Sequence, residues 1–147
     1  MIDRTLRQLK ELKSKIAHLE RIEQPRWIYL SAPLTSTSWD GDAYSTTAKT
    51  LIDLSAVFGV PAGVKAVYVK VCIRDAASTG GLYYIFLSAN DTAASGLVLA
   101  TPRAVNDEQV WQQFVVPCSA NGDIYYQISA SGAGTMDVWI EVFGYLL

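Results

Sequence analysis

A single histidine, His18, and two cysteines, Cys72 and Cys118, are all that this chain offers to chemistry needing an imidazole or a thiolate. His18 has no second histidine and no neighbouring cysteine, so neither a Ser-His-Asp nor a Cys-His site can be assembled around it in the rest of the chain. The cysteines lack CxxC or His-rich spacing, which excludes the common zinc and redox motifs. Both lie in strand-like apolar stretches. They are expected to be buried reduced thiols, with a disulfide between neighbouring strands left open. Glutamate is also scarce: after residue 26 only Glu108 and Glu141 remain, and nothing in the pattern pairs them as the acid and base of a glycosidase. The glycine steps Gly80-Gly81 and Gly132-Ala133-Gly134 have neither the following helix nor the lysine of a phosphate loop. No cofactor, catalytic residue or metal site is expected, and the chain is read as a non-enzyme. Long apolar runs are missing too. No apolar segment of signal-peptide type follows Met1 and none reaches the ~18 to 20 residues that span a bilayer, so membrane insertion is not expected.

What the chain has is apolar bulk and an uneven charge. Half of its residues are hydrophobic and only 18% are charged, with four Trp, eight Tyr and four Phe among 147 positions. That composition suits a packed β domain rather than a disordered chain. Residues 1–26 carry seven Lys/Arg against four Asp/Glu, whereas the remainder carries five against ten. The basic run is interleaved with Glu11, Glu20 and Glu23 and no basic cluster recurs later, so it reads as the solvated flank of a helix and not as a nucleic-acid surface.

That helix, Ile2 to Ile22, is the most informative stretch. With Ile2, Leu9 and Ile16 at heptad position a and Leu12 and Leu19 at d, apolar residues step alternately by three and four from Leu9 onward, as in a coiled-coil seam. Leu6 at e and Ile22 at g widen the stripe. Ile2, Leu6, Leu9, Leu12, Ile16, Leu19 and Ile22 are therefore the expected oligomerisation residues. Ile at a with Leu at d favours two helices, whereas the wider stripe favours more. The segment Lys15 to Glu20 resembles a trimer-specifying coiled-coil pattern, with Lys in place of the usual Arg. Three heptads make about 33 Å of helix, which is marginal alone. Pro25 stops the helix, because it lacks a donor and biases Gln24 away from helical geometry. The expected organisation is a coiled-coil stem over 1–25 and one head over 26–147.

The head reads as strands. Arg26 to Leu30 opens it, and a strand pattern resumes at Leu51 to Val57 before the turn Gly59-Val60-Pro61-Ala62-Gly63. From Lys65 to Arg74, Val67, Val69, Val71 and Ile73 alternate with Tyr68, Lys70, Cys72 and Arg74, so one face is core. Further strands are expected at Leu82 to Ser88, Leu97 to Ala100, Val110 to Val116, Ile124 to Ala130 and Asp137 to Tyr145, separated by Gly, Asn, Asp and Ser clusters. About eight strands with polar turns point to a mainly β fold, an antiparallel β-sandwich of jelly-roll type. In the last strand Val138, Ile140 and Val142 alternate with Trp139, Glu141 and Phe143. Both faces are bulky, and one is expected to meet a neighbouring subunit.

Trp39, Asp40 and Asp42 in a Ser/Thr-rich loop, together with Trp111 at a strand start, are the candidate ligand-binding residues, since aromatic faces beside polar groups bind sugars. The competing reading is that the aromatics fill the core and subunit contacts. Asp40-Gly41-Asp42 offers two hard oxygen ligands but not the six to eight that calcium takes, and it reads as a turn. Asn90-Asp91-Thr92 matches a glycosylation sequon and is also read as a turn.

The short coiled coil, the abrupt proline and the compact head carrying Leu51-Ile52-Asp53-Leu54-Ser55 and Gly59-Val60-Pro61-Ala62-Gly63-Val64-Lys65-Ala66-Val67 together resemble virion proteins of tailed bacteriophages. The resemblance implies a homotrimer that projects from capsid or tail as a short fibre or knob, made in the host cytoplasm and residing in the virion. It implies other virion proteins as partners and a host-surface glycan or protein as target. A capsid decoration protein and a carbohydrate-binding module unrelated to a virion are the alternatives.

Overall fold

The structure, a computed structural model, describes residues 2–22, 24–36, 49–77, 81, 83–92, 96–100 and 106–147. Helix α1 runs Ile2–Ile22 and gives way to strand β1, Trp27–Leu34, across Pro25. There follow β2 (Thr50–Ile52), a short helix α2 (Leu54–Phe58), β3 (Ala66–Asp75), β4 (Tyr84–Ser88), β5 (Leu97–Ala100), β6 (Gln109–Pro117), β7 (Ile124–Ser129) and β8 (Met136–Leu146). The protein is thus mainly β.

The strands pair antiparallel from the outside of the sequence inward: β1 with β8, β2 with β7, β3 with β6 and β4 with β5. Such nesting is a long hairpin folded over on itself. Further pairing of β3 with β8 and β4 with β7 joins the four hairpin layers into two sheets, ordered β1-β8-β3-β6 and β2-β7-β4-β5. This is the jelly-roll arrangement of a sandwich. The core lies between the sheets. Val67, Val69, Val71 and Ile73 of β3 and Val138, Ile140 and Val142 of β8 meet Ile85 and Leu87 of β4 and Ile124, Tyr126 and Ile128 of β7, all buried.

The strand expected from Leu51 to Val57 is instead three residues of β2 followed by a turn of helix. Asp53 ends the strand by capping α2: its carboxylate accepts from Ala56 N at 2.9 Å and from the Ser55 hydroxyl at 2.7 Å. Those two bonds hold the Asp53 carboxyl below the usual carboxylate range. Gly59 closes the helix in the left-handed region, φ 73°, where its N–H reaches the carbonyls of Leu54 and Ser55. A third support comes from afar, as Asp123 Oδ1 accepts from Leu54 N at 3.2 Å. Leu54 and Phe58 then plug the core.

The inter-strand disulfide does not form; both cysteines are free thiols. Cys72 lies opposite Trp111, while Cys118 follows seven residues farther along, about 23 Å at the rise of a strand. The sequon Asn90-Asp91-Thr92 is a turn, with Asn90 Oδ1 accepting from Thr92 N at 3.0 Å.

Candidate functional site

Among the described residues, large apolar groups gather in solvent on two surfaces. On α1, every residue from Arg4 to His18 is exposed, and Leu6, Leu9, Leu12 and Ile16 lie between 47% and 60% exposed. The helix therefore presents its stripe without covering it on its own head. The ion pair of Lys15 with Glu11 at 3.4 Å is an i,i+4 contact between solvated side chains worth tenths of a kcal/mol.

The second surface is the outer face of the β1-β8-β3-β6 sheet. Residues directly opposite one another on paired strands share a face, so the register sorts this surface into rows. Tyr29, Gly144, Tyr68 and Val115 form one row. Tyr29 is 73% exposed and stacks on Trp27 with ring centroids 6.2 Å apart, and together with Tyr68 and Val115 they line a shallow depression of about 330 Å³. The Tyr68 hydroxyl donates to Gln113 Oε1 at 2.6 Å.

In the next row Glu141, Lys70 and Gln113 lie side by side, and Lys70 Nζ bonds Glu141 Oε2 at 3.1 Å. Beyond it come Trp139, Cys72 and Trp111. Adjacent strands lie 4.7 to 4.9 Å apart, so the two indoles leave the sheet about 9 to 10 Å from each other. Cys72 is the small floor between them. The last row is Asp137, Arg74 and Gln109. Arg74 is gripped by Asp137, with Nε at 2.8 Å, and reaches Asp107 at 3.4 Å. The bond to Asp137 and the charges of Asp137 and Asp107 raise the guanidinium's pKa further.

Each cation also covers an indole: Lys70 Nζ lies 5.7 Å from the Trp111 ring centre and Arg74 Cζ lies 5.8 Å from that of Trp139. The indoles are thereby held from opposite ends. Both indoles line a depression of about 410 Å³, together with Thr35, Ser36, Gln109 and Glu141 and with the core residues Phe58, Val138 and Ile140. Burial pushes the Cys72 thiol up, against a hydrogen bond from Gln109 that lowers it, so at neutral pH the floor is an uncharged thiol.

Of the residues singled out in the sequence, Trp111 lies on this face, 62% exposed. Trp39, Asp40 and Asp42 lie outside the described residues, as do the side chains of Ile2, Leu19 and Ile22. Leu6, Leu9, Leu12 and Ile16 share the open stripe of α1. Trp139, Lys70, Cys72 and Glu141 join Trp111 here without having stood out in the sequence as ligand-binding candidates. Alternation put these four on outward positions of their strands, but their meeting depends on register between distant segments. Among the described residues no group of three or more His, Cys, Asp or Glu gathers to hold a metal, and no helix is long and apolar enough to cross a membrane.

No protein-family model and no curated protein matches the chain. Among solved structures it is similar to the tobacco streak virus coat protein, at 8% identity over 82% of this chain and 87% of that one, with a TM-score of 0.36. It is also similar to a structure of infectious bursal disease virus, Gx strain, at 15% identity and a TM-score of 0.30 over 85% of this chain. The chain spans about a third, 32%, of the length of the latter. Both TM-scores are low, and these likenesses carry no functional weight.

Proposed function

We propose that the chain is a non-enzymatic virion structural protein, a homotrimeric short fibre or knob of a tailed phage, whose stem sets a threefold axis and whose heads contribute to attachment at the host surface. The observation that carries this reading is the open stripe of α1. Leu6, Leu9, Leu12 and Ile16 are about half exposed in the single chain, and burying the rest of each side chain contributes roughly 1 kcal/mol apiece. A helix of this length gains little by itself. Parallel copies bury the stripe in a seam, and the width added by Leu6 suits three helices better than two.

The position of the Trp27 and Tyr29 patch supports the same assembly. Only residues 23–26 separate α1 from β1, a reach of at most about 17 Å. Helices in a bundle lie 8 to 10 Å apart, so the three Trp27 residues sit within about 25 Å of the common axis. The apolar face at the start of β1 is therefore near its symmetry mates, where head contacts add to a short stem. The partners are other copies of this chain and other virion proteins.

Light scattering tests the reading. The full chain is expected at three times its 16.1 kDa mass, and a chain lacking residues 1–25 at once or in weak association. A monomeric full-length protein would sink the proposal. A capsid decoration role differs only in where the trimer sits, which images of the intact particle resolve.

A further inference from the structure

We infer that the trough between Trp111 and Trp139 is a binding site for a neutral saccharide. The inference deepens the attachment role proposed above and rests on it only for where the sugar is met, since every group in the trough comes from one chain.

Three features select this ligand. Two indoles, 62% and 44% exposed, rise from one row of the sheet with only Cys72 between them. Aromatics that fill a core are not left this exposed, and the strand spacing of about 9 to 10 Å leaves room for a sugar ring whose C–H faces stack on an indole. The depression that both indoles line, about 410 Å³ in all, lies within the range of small-ligand pockets.

Charge then narrows the class. Lys70 is already paired with Glu141, and Arg74 with Asp137 and Asp107. Two cations meet three carboxylates, on a head whose net charge is negative, so a phosphate, a uronic acid or a nucleic acid strand finds no unspent positive charge. A neutral polyol is matched instead. Its hydroxyls both donate and accept, and the rim offers carboxylate oxygens at Glu141, ammonium hydrogens at Lys70 and the Gln109 amide. The ion pairs also fix the indoles before binding, since Lys70 and Arg74 each lie over one ring. A preformed platform loses little side-chain entropy when a ligand arrives.

The test uses the full-length protein with maltohexaose, cellohexaose, chitohexaose and mannohexaose as probes, alongside an acidic oligosaccharide, hexagalacturonate. Titration calorimetry and tryptophan fluorescence are expected to show binding of at least one neutral probe. Trp111→Ala and Trp139→Ala should each weaken it about tenfold, Trp139→Phe should retain most of it, and Cys72→Leu, which raises the floor without removing an aromatic, should also weaken it. The far-UV spectrum and the mass by light scattering should stay as in the parent. Binding of no neutral probe, equal affinity in the Trp variants, or binding of the acidic probe alone overturns the inference. So does loss of mass in Trp139→Ala, which would make this face a contact between copies. A monomer that binds sugar through both tryptophans would overturn the trimeric fibre and leave the site standing.

Discussion

Ser131 donates both its backbone N–H, at 2.8 Å, and its hydroxyl to the carboxylate of Asp75, a residue with no solvent exposure at the end of β3. The same carboxylate accepts from Ala77 N at 3.0 Å. Asp75 thereby pins the β7–β8 turn and the start of the β3–β4 connection to one point. Replacing it with Ala leaves several donors without their acceptor at a buried site, and stability should fall by about 3 kcal/mol. Urea denaturation checks this, with Ser131→Ala expected to lose less because the carboxylate keeps its other partners.

Two glycines separate backbone strain from steric clash. Gly59 and Gly122 both have positive φ, 73° and 90°. A Cβ on Gly59 would meet nothing within 4 Å, whereas one on Gly122 would lie 2.5 Å from the backbone nitrogen of Gly63. Gly59→Ala should therefore cost about 1 kcal/mol of left-handed strain. Gly122→Ala should cost clearly more, because the two connections that approach there must part. Thermal melts of the pair give the difference, and equal losses would contradict the clash.

Burial pushes the Cys118 thiol up to about 12 from the usual 9.0, with the nearby Asp123 charge adding to it. The folded state thus holds its proton more tightly than the unfolded chain. Stability from this group is complete below about pH 8.5 and is lost as pH rises toward 12. The difference in stability between the parent and Cys118→Ala should therefore be flat up to about pH 8.5 and shift in favour of the variant above it. A difference that stays constant to pH 11 would place the thiol in solvent.

Leu9→Asn combined with Ile16→Asn puts two amides on the α1 stripe. Both positions are exposed in the single chain, so the head should keep its β spectrum while the mass falls from trimer toward monomer. The expected readout is sedimentation at several concentrations. A head that melts with the stem would mean that the sandwich itself depends on assembly.

Residues read from consecutive positions came out where physics places them. Val67, Val69, Val71 and Ile73 form the core face of β3 because period-two alternation needs only the strand itself. Likewise Leu9, Leu12 and Ile16 fall on one stripe of α1 by the period of the helix. The five residues of α2 escaped, since a single turn has no period to detect. It exists because Asp53 caps it and Asp123, distant in the chain, accepts from Leu54 N.

Sequence by itself thus determined the helix with its stripe, the β character of the head and which face of each long strand is apolar, all local quantities written within one element. Tertiary structure alone decided that β1 pairs with β8 and β3 with both β6 and β8, and so that Trp111, Cys72 and Trp139 share a row. Register between segments dozens of residues apart is set by the joint packing of both sheets, a sum over the whole core that no single stretch encodes.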